Sequence, residues 1–402
     1  MTKPHTLSPA CSFLLDLVRF SAAILVVIAH LGHPEFRTGF ANRQILGDIA
    51  VPIFFVLSGF VIRFVTQSRE HTLRLYFIDR ASRMYSVILP AMALTLILSA
   101  ICLRLDRPYY LQYWGALSDH IPARVLLNLT FLSQSWGRTV IPLIDSPFWS
   151  LSYECLFYIA YGLFFYLRGW KRILTLVLWA LIAGPQVVFL LPIWALGCGI
   201  YDLYHHLRRT TTAQSILIAT AACLFAAIAF FFSGRHTLLE APFRLHQALI
   251  AIPNPLLRIH MPIGRATMMA VATGAFAAAS LLLLTLLADQ IPLPHKSAIA
   301  TRFRPIADST FAIYLMHYPL LVLAGTLGLL RPHNALLNVA SASIIVLLLI
   351  PTAAAFDSFK NALRRWLTGI IPPHTESPVP AAHFVAKPIT AASHPRASTR
   401  SG

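Results

Sequence analysis

Residues 84–103 read MYSVILPAMALTLILSAICL, twenty positions without one acidic or basic side chain. Apolar residues fill the run almost continuously, with no amphipathic period, and its length is close to the ~20 residues that carry a helix across a bilayer's hydrocarbon core. Ile216–Phe232, Ala270–Ala288 and Ala335–Ala355 have the same character. A soluble domain can bury one such helix. It cannot bury a succession of them, because nothing would be left to face water. Composition agrees: of 402 residues, 57% are hydrophobic and 12% charged, where a soluble protein carries about 25% charged residues. The chain therefore reads as all-α, a polytopic transmembrane helix bundle.

With shorter or broken helices allowed, about ten spans follow, at 11–31, 45–65, 84–104, 148–167, 173–191, 192–205, 213–232, 266–288, 306–329 and 336–357. The sixth is short and expected to break at Gly197 or Gly199, and 121–136 reads as an interfacial or re-entrant segment. The first run is not a cleavable signal peptide: it holds Asp16 and Arg19, ends without a small-residue cleavage site and is followed by further spans. From Pro372 the chain is rich in Pro, Ala, Ser and Thr, so 372–402 is expected to be a disordered tail and 11–357 a single transmembrane domain.

A net charge of +17 would suggest nucleic acid as the partner of a soluble domain. Here the basic residues gather between apolar runs, at Arg63–Arg83, Arg168–Arg172, Arg208–Arg209, Lys296–Arg304 and Lys360–Arg365. The positive-inside rule places these clusters and both termini in the cytoplasm, and membrane lipids rather than nucleic acid are the expected surroundings. The five cysteines lie in or beside apolar segments without ligand spacing, so no metal site is expected.

Ionisable side chains inside a span are costly, and each is a candidate for function. In the first span Asp16 precedes Arg19 by three residues and His30 follows it by eleven. Eleven helical steps make about three turns, so Arg19 and His30 share a face about 16 Å apart, with Arg19 towards the cytoplasm. Asp16 can pair with Arg19 as a structural partner. The fourth span opens PFWSLSYE (147–154) and brings Glu154 to a depth similar to His30. A carboxylate and an imidazole at one depth suit a general-base pair, the carboxylate orienting the ring; a purely structural Glu154 is the alternative. Arg80 and Arg83 lie three apart on an expected interfacial helix, Leu73–Tyr85. They suit phosphate recognition, or simply set topology. His317 is a further intramembrane histidine, beside Pro319, and Ser58-Gly59 marks a point where helices can pack closely.

These segments together resemble the acyltransferase-3 family of membrane acyltransferases. LDLVRFSAAILVVIAH (15–30) is similar to its first-span signature, GDIAVPIFFVLSGFVI (47–62) to its second-span pattern and YFIDRASRMYSVILP (76–90) to its paired-arginine segment. FWSLSYECLFY (148–158) and STFAIYLMHYP (309–319) resemble two later blocks, all in the family's order. Two departures stand out: Ser86 precedes Pro90 where a proline usually comes sooner, and Asp357-Ser358-Phe359 replaces a late Glu-x-Pro.

The resemblance implies an O-acyltransferase of the bacterial cytoplasmic (inner) membrane. It would use acyl-CoA, with acetyl-CoA expected, as a co-substrate rather than a bound cofactor. The acyl group would pass to a hydroxyl of a glycan or lipid-linked sugar, as in modified lipopolysaccharide, exopolysaccharide or Nod factor. Under that reading His30 is the general base or transient acyl carrier, with Glu154 assisting. Arg19, Arg80 and Arg83 bind the donor, while Trp149, Ser150, Tyr153 and His317 position the acceptor. A multi-span transporter is the alternative. It would be expected to show inverted repeats and paired broken helices, neither of which the sequence displays.

Overall fold

The protein is described by a computed structural model over residues 6–36, 38–40, 44–68, 72–117, 119–208, 212–229, 265–294 and 297–371. All regular structure among these residues is helical. The helices are α1 (Pro9–Leu31), α2 (Gln44–Ser68), α3 (Leu73–Leu105), α4 (Arg107–Trp114), α5 (Ile121–Leu129), α6 (Phe148–Tyr166) and α7 (Gly169–Ala183). They continue with α8 (Pro185–Leu207), α9 (Ala213–Ala229), α10 (Arg265–Asp289), α11 (Ala298–Asp308), α12 (Thr310–Thr326), α13 (Ala335–Leu349) and α14 (Thr352–Ile370). Local chemistry sets the first boundary: Ser8 accepts a hydrogen bond from the Cys11 amide, and Pro9 occupies the first turn, where its missing N–H costs nothing.

Among the described residues, six stretches are long and apolar enough to cross a membrane: Pro9–Leu31, Leu46–Ser68, Leu73–Leu105, Pro185–Leu207, Ala270–Asp289 and Ala335–Ile370. The pair α11–α12, bent by 44°, makes a seventh if counted as one span. The other expected spans, 148–167, 173–191 and 213–232, correspond to α6, α7 and α9. Of these, α7 has 15 residues and α9 is described for 17, and α6 dilutes its apolar run with serines, tyrosines and Glu154. At nine residues, α5 reaches only about 14 Å and does not cross.

Three boundaries differ from the sequence reading. The break between the fifth and sixth expected spans falls at Gly184, not at Pro192, Gly197 or Gly199. Gly184 has φ +84°, and a Cβ there would meet the Trp136 amide nitrogen at 2.6 Å. Pro185 then starts α8, which runs unbroken through Gly197. Instead of breaking the helix, Gly197 lets it touch α2: its Cβ would lie 2.0 Å from the Val56 carbonyl oxygen, and a Cβ on Gly59 would lie 2.1 Å from that of Trp194. Backbone meets backbone there, the use membrane bundles make of small residues. The interfacial helix 73–85 and the span 84–104 are one 33-residue helix, α3, about 50 Å long. Finally, the last span does not end at 357: beyond a turn containing Pro351, α14 continues α13 without a sharp bend, so that Ala335–Ile370 forms one stretch, and α14 packs against α3. The tail 372–402 and residues 230–232 of the seventh expected span lie outside the described residues.

Inside the bundle α2 packs on α1, α8 and α10, while α12 packs on α1, α3 and α13. The helices α1, α2, α3, α6 and α12 thus surround the polar interior.

Candidate functional site

A cavity of about 560 Å³ opens between α1, α2, α3, α6, α11, α12 and α14. One end is cationic. Arg19 of α1, Arg80 and Arg83 of α3, and Lys360 and Arg364 of α14 line it, with Asp79 and Asp308 as nearby carboxylates. Arg19 donates to Asp16 at 3.1 Å and to the Ala307 carbonyl at 3.2 Å, while its buried Nε has no hydrogen-bond partner. Arg304 closes the network, reaching Asp16 at 3.1 Å and Asp308 at 3.4 Å. Arg80 lies over the Tyr76 ring, 5.7 Å from its centroid. The walls further in are apolar, including Val51, Phe54, Phe55, Val61 and Phe311, and among them stand Glu154, Ser58 and Tyr158. Ser58 donates to Glu154 Oε1 at 2.8 Å and receives the Trp194 indole N–H at 3.2 Å; Tyr158 donates to the same carboxylate oxygen. Ser150 and Tyr314 also line the cavity, with their hydroxyls 2.6 Å apart.

Three residues beyond Tyr314 on α12, about 4.5 Å of helix rise, His317 begins a second polar region. His317 is fully buried, and its Nδ1 lies 2.8 Å from the Ile313 carbonyl oxygen. A carbonyl can only accept, so Nδ1 carries the proton, and in the neutral ring Nε2 is an acceptor. His30 Nδ1 sits 2.8 Å from that Nε2 and is therefore its donor. The order of bonds leaves His30 Nε2 with a free lone pair, the tautomer a general base requires. The two rings stack with centroids 5.0 Å apart and a 25° interplanar angle, and the rings of His33 and Tyr318 meet His30 edge-to-face with centroids 4.9 and 5.0 Å away. Outside α1, Glu35 accepts from Tyr318 and pairs with His33 at 3.1 Å. Burial alone would push the Glu35 carboxyl up, but these hydrogen bonds outweigh it and hold the group below its ordinary value.

The sequence reading placed Glu154 as the partner that orients His30. In the structure that partner is His317, and Glu154 is held instead by Ser58 and Tyr158 in the cavity wall. Asp16 pairs with Arg19 as expected from their spacing. Trp149 is half-buried, and its ring lies 5.7 Å from that of Tyr153, which is itself buried against Phe55 and Phe157. The cavity is lined by Ser150 but by neither Trp149 nor Tyr153. Sequence reasoning missed Arg304, Lys360 and Arg364, which looked like topology-setting charges, and also Asp308. It also missed Glu35, Tyr314 and Tyr318. The two tyrosines were legible in principle, since each stands within one turn of His317 on the same helix.

A helical membrane bundle with a cation-ended cavity and an ordered histidine pair accords with a family match over residues 14–356, described as an acyltransferase domain. The chain belongs to the acyltransferase-3 family and is an integral membrane protein. It is similar to the acyltransferase MdmB of Streptomyces mycarofaciens, at 29% identity over 177 residues. That alignment covers 42% of this chain and 42% of the relative's length. No solved structure matches.

Proposed function

We propose that the protein transfers an acyl group, acetyl by expectation, from acyl-CoA to a hydroxyl of a glycan or glycoside. The cationic end of the cavity faces the cytoplasm, as the positive-inside rule requires, in a bacterial inner membrane. Arg19, Arg80 and Arg83 hold the donor's phosphates there. The apolar walls take the pantetheine arm, with Glu154 and Ser58 offering acceptors to its amides. The acyl end points towards Tyr314 and, one turn on, the histidine pair. The acceptor approaches from the His33–Glu35 side.

His30 Nε2 takes the proton from the acceptor hydroxyl as its oxygen attacks the thioester carbonyl. The new C–O bond forms, the C–S bond breaks, and the departing thiolate is reprotonated by the imidazolium. His317 holds His30 in the tautomer that starts this cycle. Ser150, whose hydroxyl lies 2.6 Å from that of Tyr314, helps position the acceptor. One observation carries the reading: the bond order His30 to His317 to Ile313 leaves a lone pair on a single ring nitrogen, on the same helix whose Arg19 lines the cavity's cationic end.

The test is mass spectrometry of surface glycans and small glycosides from strains with the gene, without it, and with His30→Ala. Loss of one acylated species in both altered strains is expected. An acylation profile unchanged by His30→Ala, where deletion changes it, would overturn the assignment of His30.

A further inference from the structure

The helix α14 follows the last apolar run and carries Lys360, Arg364 and Arg365, charges that would ordinarily be read as fixing topology at a membrane surface. Its placement separates them. Lys360 and Arg364 are four residues apart, on one face, and both line the cavity together with Asn361. Arg365 and the exposed Trp366 and Ile370 do not line it.

The cavity-facing side is fixed on α3 at two points. Arg364 is ion-paired with Asp79, the residue before Arg80. Further along, Arg74 donates from Nε to the Ile371 carbonyl at 2.7 Å and from Nη2 to that of Thr368, also at 2.7 Å. These bonds satisfy carbonyls at the helix end that have no partner within it. They hold α14 where its cations join Arg80 and Arg83 around one opening. Five cations line the opening with two carboxylates, Asp79 and Asp308, while Asp16 and Asp357 pair with Arg19 and Lys360 from beside it, and the interior behind them is apolar. A polyanion with a slender, less polar extension fits that profile; a lipid headgroup at a flat surface would not need Lys360 and Arg364 to turn inward.

We propose that α14 is part of the donor site, with Lys360, Asn361 and Arg364 binding phosphates at the nucleotide end of the acyl thioester. This inference rests on the acyl-CoA reading of the cavity. It adds a binding element from a helix that the motif-bearing segments do not include.

The test is calorimetric titration of the detergent-solubilised full chain with two donors, acetyl-CoA and phosphate-free S-acetylpantetheine. Lys360→Gln is expected to weaken acetyl-CoA about fivefold, the scale of one partly exposed charge contact. Lys360→Arg should restore binding, and the double variant Lys360→Gln/Arg364→Gln should weaken it about twentyfold. S-acetylpantetheine should bind wild type and Lys360→Gln alike. Equal acetyl-CoA affinities for wild type and Lys360→Gln would overturn the proposal. So would equal weakening of both donors, which would report distorted walls, or an effect confined to binding of phosphatidylglycerol vesicles. Failure of wild type to bind acetyl-CoA at all would instead overturn the donor reading beneath it.

Discussion

The two polar regions of this bundle are built on opposite principles. At the cationic end, side chains from α1, α3, α11 and α14 meet around open space, and Arg304 and Arg364, each about half exposed, make ion pairs across helices. Such contacts are individually weak and collectively tunable. At the other end, direct hydrogen bonds join His30 to His317 and both Tyr318 and His33 to Glu35, the two sets meet through ring contacts, and His317 is sealed from solvent. Geometry there is over-determined, and each proton has an assigned place. The contrast teaches that holding a flexible polyanion needs net charge, while moving one proton needs a fixed order of donors and acceptors.

The comparison predicts a separation of effects. His30→Ala should lower turnover by about a thousandfold, the range of a lost general base, while acetyl-CoA affinity measured by titration stays within about twofold of wild type. If donor binding fell in parallel, the two regions would not be separable. Next in size is His317→Ala, which frees His30 from its tautomer partner and should cost about thirtyfold in turnover, again without loss of donor affinity. Arg83→Ala should do the reverse, raising KM for the donor about tenfold with kcat preserved; an equal fall in kcat would place Arg83 in the chemistry.

The smallest effect concerns stability. Glu35→Gln removes a charged acceptor from Tyr318 and His33 and should destabilise the chain by roughly 1–2 kcal/mol at neutral pH. Because the Glu35 carboxyl sits below its ordinary value of 4.5 in the folded chain, this contribution is complete above that value. It fades as pH falls through the lower, folded one. Thermal unfolding in detergent should therefore show the gap between wild type and variant narrowing in acid.

What the sequence made legible was whatever a single helix determines. Asp16 and Arg19 pair because three residues of helix bring them together, and Arg19 and His30 share a face by the same geometry. The apolar runs announced the bundle because no soluble fold can hide them. Partnerships between helices were out of reach. His30 and His317 were each recognisable as costly intramembrane groups, but their pairing depends on the relative height of α1 and α12. Likewise Glu154 finds Tyr158 within α6 but Ser58 only across to α2. Glycine was misread for a physical reason: the residue breaks a helix when it takes positive φ, as Gly184 does, and admits a neighbour when it stays helical, as Gly197 does. Composition alone does not tell these apart.

The first helix also has a consequence for how this protein tolerates change. Arg19 and His30 belong to separate regions yet share one uninterrupted α1. Replacing an intervening residue leaves their relation intact. Adding or deleting a single residue between them shifts the spacing by only about 1.5 Å, but turns one relative to the other by about 100°. The segment between them is therefore permissive to substitution and intolerant of any change in length. A one-residue insertion there should uncouple donor binding from transfer while leaving both ends chemically complete.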